Sequence, residues 1–366
     1  MPPAIPPPLA SYIQSSLSLS ESSDAHSQTL ITSVLSTPSP WLVLRLVYAA
    51  LYGVVEDDID THNKGGDGGS RVAGPRPERS RTTASMGAPV VFASFLRPLS
   101  LWVELGKKIG LDIQSLLRSR RIVFVDGLTH DPPPYGSPFA SGGGGGGGRG
   151  GAGDASPRTR LKSLSLNDVQ NALSSALKSI PTTTTSTSAS ISSSSAGTPT
   201  PRMPSTSTPP TRAPEAGKPL IFLDGIDFLI ACQPSFSSTS MQEFLSTLRI
   251  QSHALVLACS ADTPLMHVAT SSNEGGIPLE RNHAHLVTAL AHQSRWVLQL
   301  RGLDTGSAKD VSGVIRASKG GSYESNEDEQ RDSGCVEARA AHDLDDAEWL
   351  YQLKGDGSVR VWGRGE

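Results

Sequence analysis

Short, nearly uninterrupted apolar runs recur along this chain, separated by segments whose apolar residues step by three and four. The runs Thr29–Leu35, Val90–Phe95, Ile122–Asp126, Leu220–Asp224, Ala254–Cys259 and Trp296–Leu300 read as buried strands. The intervening periodicity predicts helices over Trp41–Leu51, Ser100–Gly110, Ser165–Ile180, Met241–Arg249 and Leu279–Gln293. Their ends carry their own signals: Ser39-Pro40 opens the first and Gly53 closes it, while Ser165 and Asp168 form a capping-box pair and Pro181 stops that helix. Towards the C-terminus the pattern changes. Val311–Ala317, Trp349–Leu353 and Val359–Trp362 follow one another without helices, and Gly355-Asp356-Gly357 supplies a hairpin turn between the last two. Alternating strand and helix followed by hairpins predicts an α/β fold: a mostly parallel twisted sheet, helices on both faces, and antiparallel strands at one edge.

Composition divides the chain into ordered and unordered parts. Of 366 residues only 37% are hydrophobic and 5% aromatic, with 36 Gly and 27 Pro. Such a chain cannot bury enough apolar surface everywhere to offset ordering entropy. The polar content concentrates at 1–27, 56–86, 131–160, 181–217 and 319–344, including the glycine run Gly142–Gly148 and a Ser/Thr-rich stretch after Pro181. These five are expected to be flexible, the first as an N-terminal tail and the others as disordered insertions in one domain spanning 28–364. A net charge of −3 gives no global basic field of the kind that marks a nucleic-acid binder. Three dispersed cysteines, Cys232, Cys259 and Cys335, form no CxxC, and the first two read as small buried hydrophobes in a reducing compartment. The N-terminus lacks a basic and apolar leader, and the apolar stretch Trp41–Val55 is broken by Arg45. A soluble intracellular protein, cytoplasmic or nuclear, with no membrane partner is the expectation.

The run Leu220–Leu223 followed by Asp224 is the most informative chemistry. In nucleoside triphosphatases a strand-end Asp holds the magnesium of a bound triphosphate. That role needs a partner loop of the form GxxxxGK[ST], and the sequence contains none. After the first strand stands Ser36-Thr37-Pro38-Ser39-Pro40 instead. Two of its residues lack the backbone N–H that a phosphate cradle uses, and the nearest base is Arg45, inside the following helix. Asp224 is therefore read first as a strand end that caps a turn through Gly225, and only second as a nucleotide or metal contact. No cofactor is expected. Leu303-Asp304-Thr305-Gly306-Ser307 spells an aspartic-protease segment, with Asp332-Ser333-Gly334 as the only second copy, but the helices speak against an all-β protease and favour a turn. Glu280, His283, His285 and His292 share one helix without metal-ligand spacing, and a buried or half-buried histidine face is the expectation. Arg71, Arg76, Arg79 and Arg81, and then Arg118, Arg120 and Arg121, read as solvated loop charges or as phosphate contacts.

A family resemblance attaches to the block after the Trp296 strand. Residues 300–316, Leu300-Arg301-Gly302-Leu303-Asp304-Thr305-Gly306-Ser307-Ala308-Lys309-Asp310-Val311-Ser312-Gly313-Val314-Ile315-Arg316, preceded by Ala291-His292-Gln293, resemble the sixth subunit of the Elongator complex. Trp41-Leu42-Val43, Val91–Arg97 with Trp102, Gly110-Leu111-Asp112, Val123–Leu128 and Leu223-Asp224-Gly225 follow the order of that family. The resemblance implies a RecA-like domain without catalysis of its own. It implies partners too: two RecA-like paralogues in a heterohexameric ring, the catalytic Elongator subcomplex, and transfer RNA whose wobble uridine the assembly modifies. On this resemblance Arg301, Asp304, Lys309, Asp310 and Arg316 become candidates for subunit-interface or RNA contact. A stand-alone nucleoside triphosphatase and an aspartic protease remain the alternatives.

Overall fold

The computed structural model describes residues 5–18, 26–54, 87–130, 158–180, 218–233, 236–270, 276–306, 308–323 and 344–365. The predicted insertions 56–86 and 181–217, and most of 131–160 and 319–344, lie outside the described residues. The described strands are β1 (Ser27–Ser33), β2 (Val90–Ser94), β3 (Ile122–His130), β4 (Arg158–Leu161), β5 (Leu220–Asp224), β6 (Ala254–Ser260), β7 (Trp296–Arg301), β8 (Gly313–Lys319), β9 (Ala347–Leu353) and β10 (Val359–Trp362). They form one ten-stranded sheet in the order β10-β9-β8-β7-β1-β6-β5-β2-β3-β4. From β7 to β4 every neighbouring pair is parallel, and β8, β9 and β10 extend the β7 edge in antiparallel pairs. This is the mostly parallel sheet with an antiparallel edge that the apolar runs predicted.

The helices are α1 (Ala10–Ser16), α2 (Pro40–Tyr52), α3 (Leu99–Lys108), α4 (Ile113–Arg118), α5 (Leu166–Ser179), α6 (Phe228–Cys232), α7 (Ser238–Gln251), α8 (Thr263–Thr270) and α9 (Pro278–Gln293). Side chains alternate across each strand, so adjacent residues enter different cores. Val90, Phe92, Phe124, Leu220, Phe222 and Val256 join α1 to α4 on one face. Val91, Ala93, Val123, Val125, Ile221, Leu223 and Leu255 join α5, α6, α7 and α9 on the other. With both faces covered, β2 and β5 are buried at every position. That explains why they are continuous apolar runs rather than alternating ones.

Local signals account for the helix ends. Gly53, at φ +78°, donates its N–H to Ala49 O and ends α2. Ser165 accepts from Asp168 N, as predicted, but the return arm of the capping box runs through a third residue. Asp168 takes the hydroxyl of Ser163, and Ser163 Oγ accepts the Ser165 N–H.

Three expectations change. The N-terminus is not a flexible tail over residues 5–18. A 3-10 turn at Pro7–Leu9 leads into α1, and Leu9, Ile13 and Leu17 are buried against the sheet. Tyr12 packs edge-on against both Trp296 and Trp349. The segment escaped notice because its apolar residues are few and flanked by Pro and Ser, which reads as a tail by composition. Asp126 does not end its strand: β3 continues to His130, with Asp126 fully buried inside it. The predicted insertions 131–160 and 319–344 also shrink at their edges, because β4 begins at Arg158 and Tyr323 packs against Trp296.

Two substitutions separate these features. Leu223→Asp should place a charge in the core on the α5 face and lower stability by about 4 kcal/mol or more. Ile13→Ala should cost about 3 kcal/mol if α1 belongs to the core. Urea unfolding followed by circular dichroism reads both, and an unchanged midpoint for Ile13→Ala would return residues 5–18 to the status of a tail.

Candidate functional site: the crevice at the strand ends

The sheet order sets β1, β6, β5 and β2 side by side, so their C-terminal ends share one crevice, as ligand sites in parallel sheets do. Its volume is about 170 Å³, and it is lined by Leu35, Ser39, Arg97, Asp224, Ser260 and Asp262 among others. Small-molecule sites usually start near ~300 Å³. Asp224 stands at its floor, one strand removed from β1, with β6 between. Gly225, at φ +73°, turns the chain directly after the acid. A Cβ there would come within 2.4 Å of the Leu96 side chain, so the position requires glycine.

Both oxygens of Asp224 are engaged by its own chain. Oδ1 pairs with Arg97 Nη1 at 2.5 Å, and Oδ2 accepts from Ser94 Oγ at 2.7 Å. Ser94 Oγ in turn accepts the Arg97 N–H at 3.2 Å. β2 and β5 are paired in register at Ser94 and Asp224, which brings the three groups together. Burial raises the Asp224 carboxyl above its ordinary value, while Arg97 and Ser94 pull it back. Arg97 is the one cation among the residues lining the crevice. A divalent metal on Asp224 would have to displace it.

The turn between β1 and α2 is similarly occupied. The Leu35 N–H donates to Asp262 Oδ1 at 2.9 Å, and Asp262 Oδ2 accepts from Ser260 Oγ at 2.7 Å. Thr37 N–H donates to Val34 O, closing the turn on itself. A carboxylate of the protein thus sits on a backbone donor where an anion-binding turn would offer it to a ligand. Arg45 is 2% exposed and points elsewhere. Its guanidinium donates to Trp41 O and to Gly357 O in the β9–β10 turn, and burial without a carboxylate partner lowers its pKa to about 10.

Beneath the crevice lies a second buried acid. Asp227 Oδ2 accepts the Ser260 N–H at 3.2 Å and stands 4.0 Å from His283 Nδ1, while His283 Nε2 donates to Ser260 O. Burial raises the Asp227 carboxyl, with His283 opposing. The Cys259 thiol is pushed well above its usual value by burial and then by Asp227, so it stays protonated and inert. Of the predicted histidine face only His283 is buried. His285 and His292 are exposed, because residues seven apart on α9 face away from the sheet while His283 faces it. Cys232 is likewise exposed at the end of α6, not a buried hydrophobe. Among the described residues no group of three or more His, Cys, Asp and Glu is placed to hold a metal.

None of the candidates in the 300–316 block lines the crevice. Arg301, at the end of β7, bonds Asp304 and Glu348 at 2.9 Å each, and Arg364 reaches the other oxygen of Glu348. Asp304 and Thr305 form the turn predicted for them, closed by Gly306 N–H on Leu303 O. The Asp304 side chain is 79% exposed and ion-paired, the opposite of a carboxyl dyad sharing a proton. Lys309 and Asp310 are exposed in the next turn, and Arg316 is exposed on β8, 3.8 Å from Asp346. Asp332 lies outside the described residues. Sequence reasoning did not single out Arg97, Ser94, Asp227 or Asp262 as site residues. The one local signal was their position, each within three residues of a predicted strand end.

No protein-family model matches the chain, and no curated protein matches it. No helix among the described residues is long and apolar enough to cross a membrane.

The Arg97–Asp224 pair sets a pH-dependent expectation. Arg97→Met leaves a buried carboxylate unpaired, at a cost of about 2–3 kcal/mol near neutral pH, reduced from the fully buried case because Arg97 is 22% exposed. The native carboxyl then holds its proton above the unfolded value of about 3.9. The native state binds more protons in that window, so stability falls as pH rises. Thermal unfolding at pH 5 and pH 8 should show a larger loss at pH 8, and Asp224→Asn in the same chain should remove the difference. Equal losses at both pH values would mean that Asp224 does not carry the effect.

Proposed function

We propose that the chain is a non-catalytic RecA-like subunit of the Elongator accessory ring, supporting transfer-RNA binding and wobble-uridine modification by the assembly. The observation that carries the non-catalytic part is the closure of the crevice by the protein's own groups. Arg97 and Ser94 take both oxygens of Asp224, and Asp262 takes the Leu35 N–H. A nucleotide-dependent enzyme would leave these groups for magnesium and phosphate. The strand-end acid faces the β1–α2 turn across β6, which is where a phosphate site would be built. This geometry favours a nucleotide-binding ancestry with the grip replaced.

The ring reading rests on the 300–316 block, which forms the end of β7, two exposed turns and the start of β8. Lys309, Asp310 and Arg316 present their side chains to solvent there, beside the antiparallel extension of the sheet. A partner subunit docking on this edge would meet an ion-paired frame, Arg301 with Asp304 and Glu348, and not a loose loop. The chain's contribution is then structural: interface, ring closure and a share of the RNA surface, with two RecA-like paralogues and the catalytic subcomplex as partners.

Co-expression with the two RecA-like paralogous subunits tests the assembly. Light scattering after gel filtration should report a hexamer containing two copies of this chain. A chain that stays monomeric beside both paralogues overturns the reading. Phosphate release from ATP by the isolated chain should match the buffer rate. Turnover that Asp224→Ala abolishes would instead establish the stand-alone nucleoside triphosphatase.

A further inference from the structure

At the opposite end of the sheet from the crevice, three arginines cluster where α4 meets β3. Arg118 and Arg120 are exposed and Arg121 is half-buried. No carboxylate among the described residues pairs with any of the three. Two of them have a structural account. Arg118 Nε donates to Gln114 O and lies at the end of its own helix, where a cation complements the free carbonyls. Arg121 Nη2 donates to Leu51 O at 2.6 Å and so covers the end of α2.

Arg120 has neither excuse. Its backbone sits at φ +55°, in the left-handed region that costs a side-chain-bearing residue free energy and costs glycine none. Its side chain points to solvent. A residue kept at such a position against its own backbone preference suggests work done by the side chain.

An aromatic ring completes the corner. Tyr52, the last residue of α2, is 47% exposed, with the Arg121 guanidinium 5.3 Å from its ring centre and the Tyr48 ring 4.9 Å away. The Arg121 guanidinium covers one face of the ring and Tyr48 lies beside it at a tilt of 46°, which leaves about half of the residue's surface open for a base to approach from the uncovered side. Exposed aliphatic residues lie elsewhere: Leu35, Leu96 and Leu128 stand at the C-terminal strand ends, Ile277 caps α9, Leu353 ends β9, and Ile250 lies on α7 on the other face of the sheet, whereas Arg121 sits on the α2 and α4 face, immediately before β3. The corner therefore lacks the apolar anchor that a lipid surface would take.

We infer that this corner is a single-stranded nucleic-acid contact, in which Arg118 and Arg120 engage backbone phosphates and Tyr52 stacks a base. Cations that track the backbone beside an open aromatic ring are the arrangement that binds single strands without reading sequence. The site goes beyond the ring reading and does not rest on it, because every group belongs to one chain. It also differs from the 300–316 block, whose arginines are already paired with carboxylates.

Fluorescence anisotropy of a labelled oligouridylate, titrated with the full chain at several salt concentrations, tests it. The wild-type chain should bind at low salt and weaken as salt rises. Arg118→Gln with Arg120→Gln should flatten the log–log salt slope by about 1.4, since each phosphate contact on a single strand contributes about 0.7. Tyr52→Ala should weaken binding about tenfold while Tyr52→Phe retains it, because stacking needs the ring and not the hydroxyl. Arg120→Gly separates function from folding: its melting temperature should equal or exceed that of the wild type while binding weakens. Lys178→Gln, exposed on α5 on the other face of the sheet, should bind as the wild type does. Wild-type chain that binds no oligouridylate at low salt overturns the proposal, as does binding indifferent to the Arg118 and Arg120 changes. Tighter binding to polyglutamate or phosphatidylserine vesicles, lost with the arginines but indifferent to Tyr52→Ala, would reassign the corner to acidic peptides or lipid.

Discussion

A parallel sheet with helices on both sides has no wet face, and most of what is observed here follows from that constraint. The strands between β7 and β3 are buried on both faces, so any polar group inside them needs a partner from the protein itself, as Gln28 and Thr29 of β1 find in Leu290 O, Ser294 Oγ and Ser16 O. Asp126, Asp224 and Ser94, in the C-terminal halves of β3, β5 and β2, are fully or almost fully buried. Ser94 and Asp224 meet because β2 and β5 run in register, and Arg97 reaches them from the turn that follows β2. The chemistry of the crevice is thus fixed by strand pairing. Its charge is balanced locally, which leaves a small pocket with little unspent donor or acceptor capacity.

The same constraint explains why the architecture was legible in the sequence and the site less so. Leu220–Asp224 and Val359–Trp362 were read to the residue, because a doubly buried strand and a Gly-Asp-Gly hairpin both leave strong local patterns. The long helices α2, α5 and α9 were equally clear from their periodicity and caps. What escaped were elements too short to show a period: α1, α4, α6, α8 and β4. Each is stabilised by tertiary contact more than by its own sequence, as Leu9 and Ile13 are by the sheet. Site residues were missed for a related reason. Asp224 could be found because it ends a run, but its partner Arg97 is distant in sequence. No local pattern announces an ion pair between neighbouring strands whose sequence order differs from their order in space. Asp262 was invisible for the same reason, since its role depends on a backbone N–H in the β1–α2 turn.

Two ends of the sheet divide the molecule's surface chemistry. At the C-termini of β5 and β6, carboxylates are held by Arg97 or by backbone donors, and exposed leucines (Leu35, Leu96, Leu128) stand around them. At the N-terminal end of β3, arginines bond to carbonyls instead of carboxylates, which satisfies their geometry without cancelling their charge. Net charge is slightly negative over the chain, so the difference is one of placement and not of amount. A bulk quantity such as net charge hides it, whereas the pairing of each side chain reveals it.

The position of β1 has a further consequence, for how the chain is made. β1 lies inside the sheet, yet both of its neighbours, β6 and β7, come from the second half of the sequence. The helix before it waits still longer: the Tyr12 hydroxyl bonds Asp345 O, 333 residues away. During synthesis β1 therefore emerges long before either of its sheet neighbours, and it stays unpaired until β6 and then β7 have been made. Such late closure of long-range strand pairs is slow and leaves sticky edges exposed. Keeping the early-made β1 from aggregating is thus a demand this topology places on the cell, whatever the finished protein does.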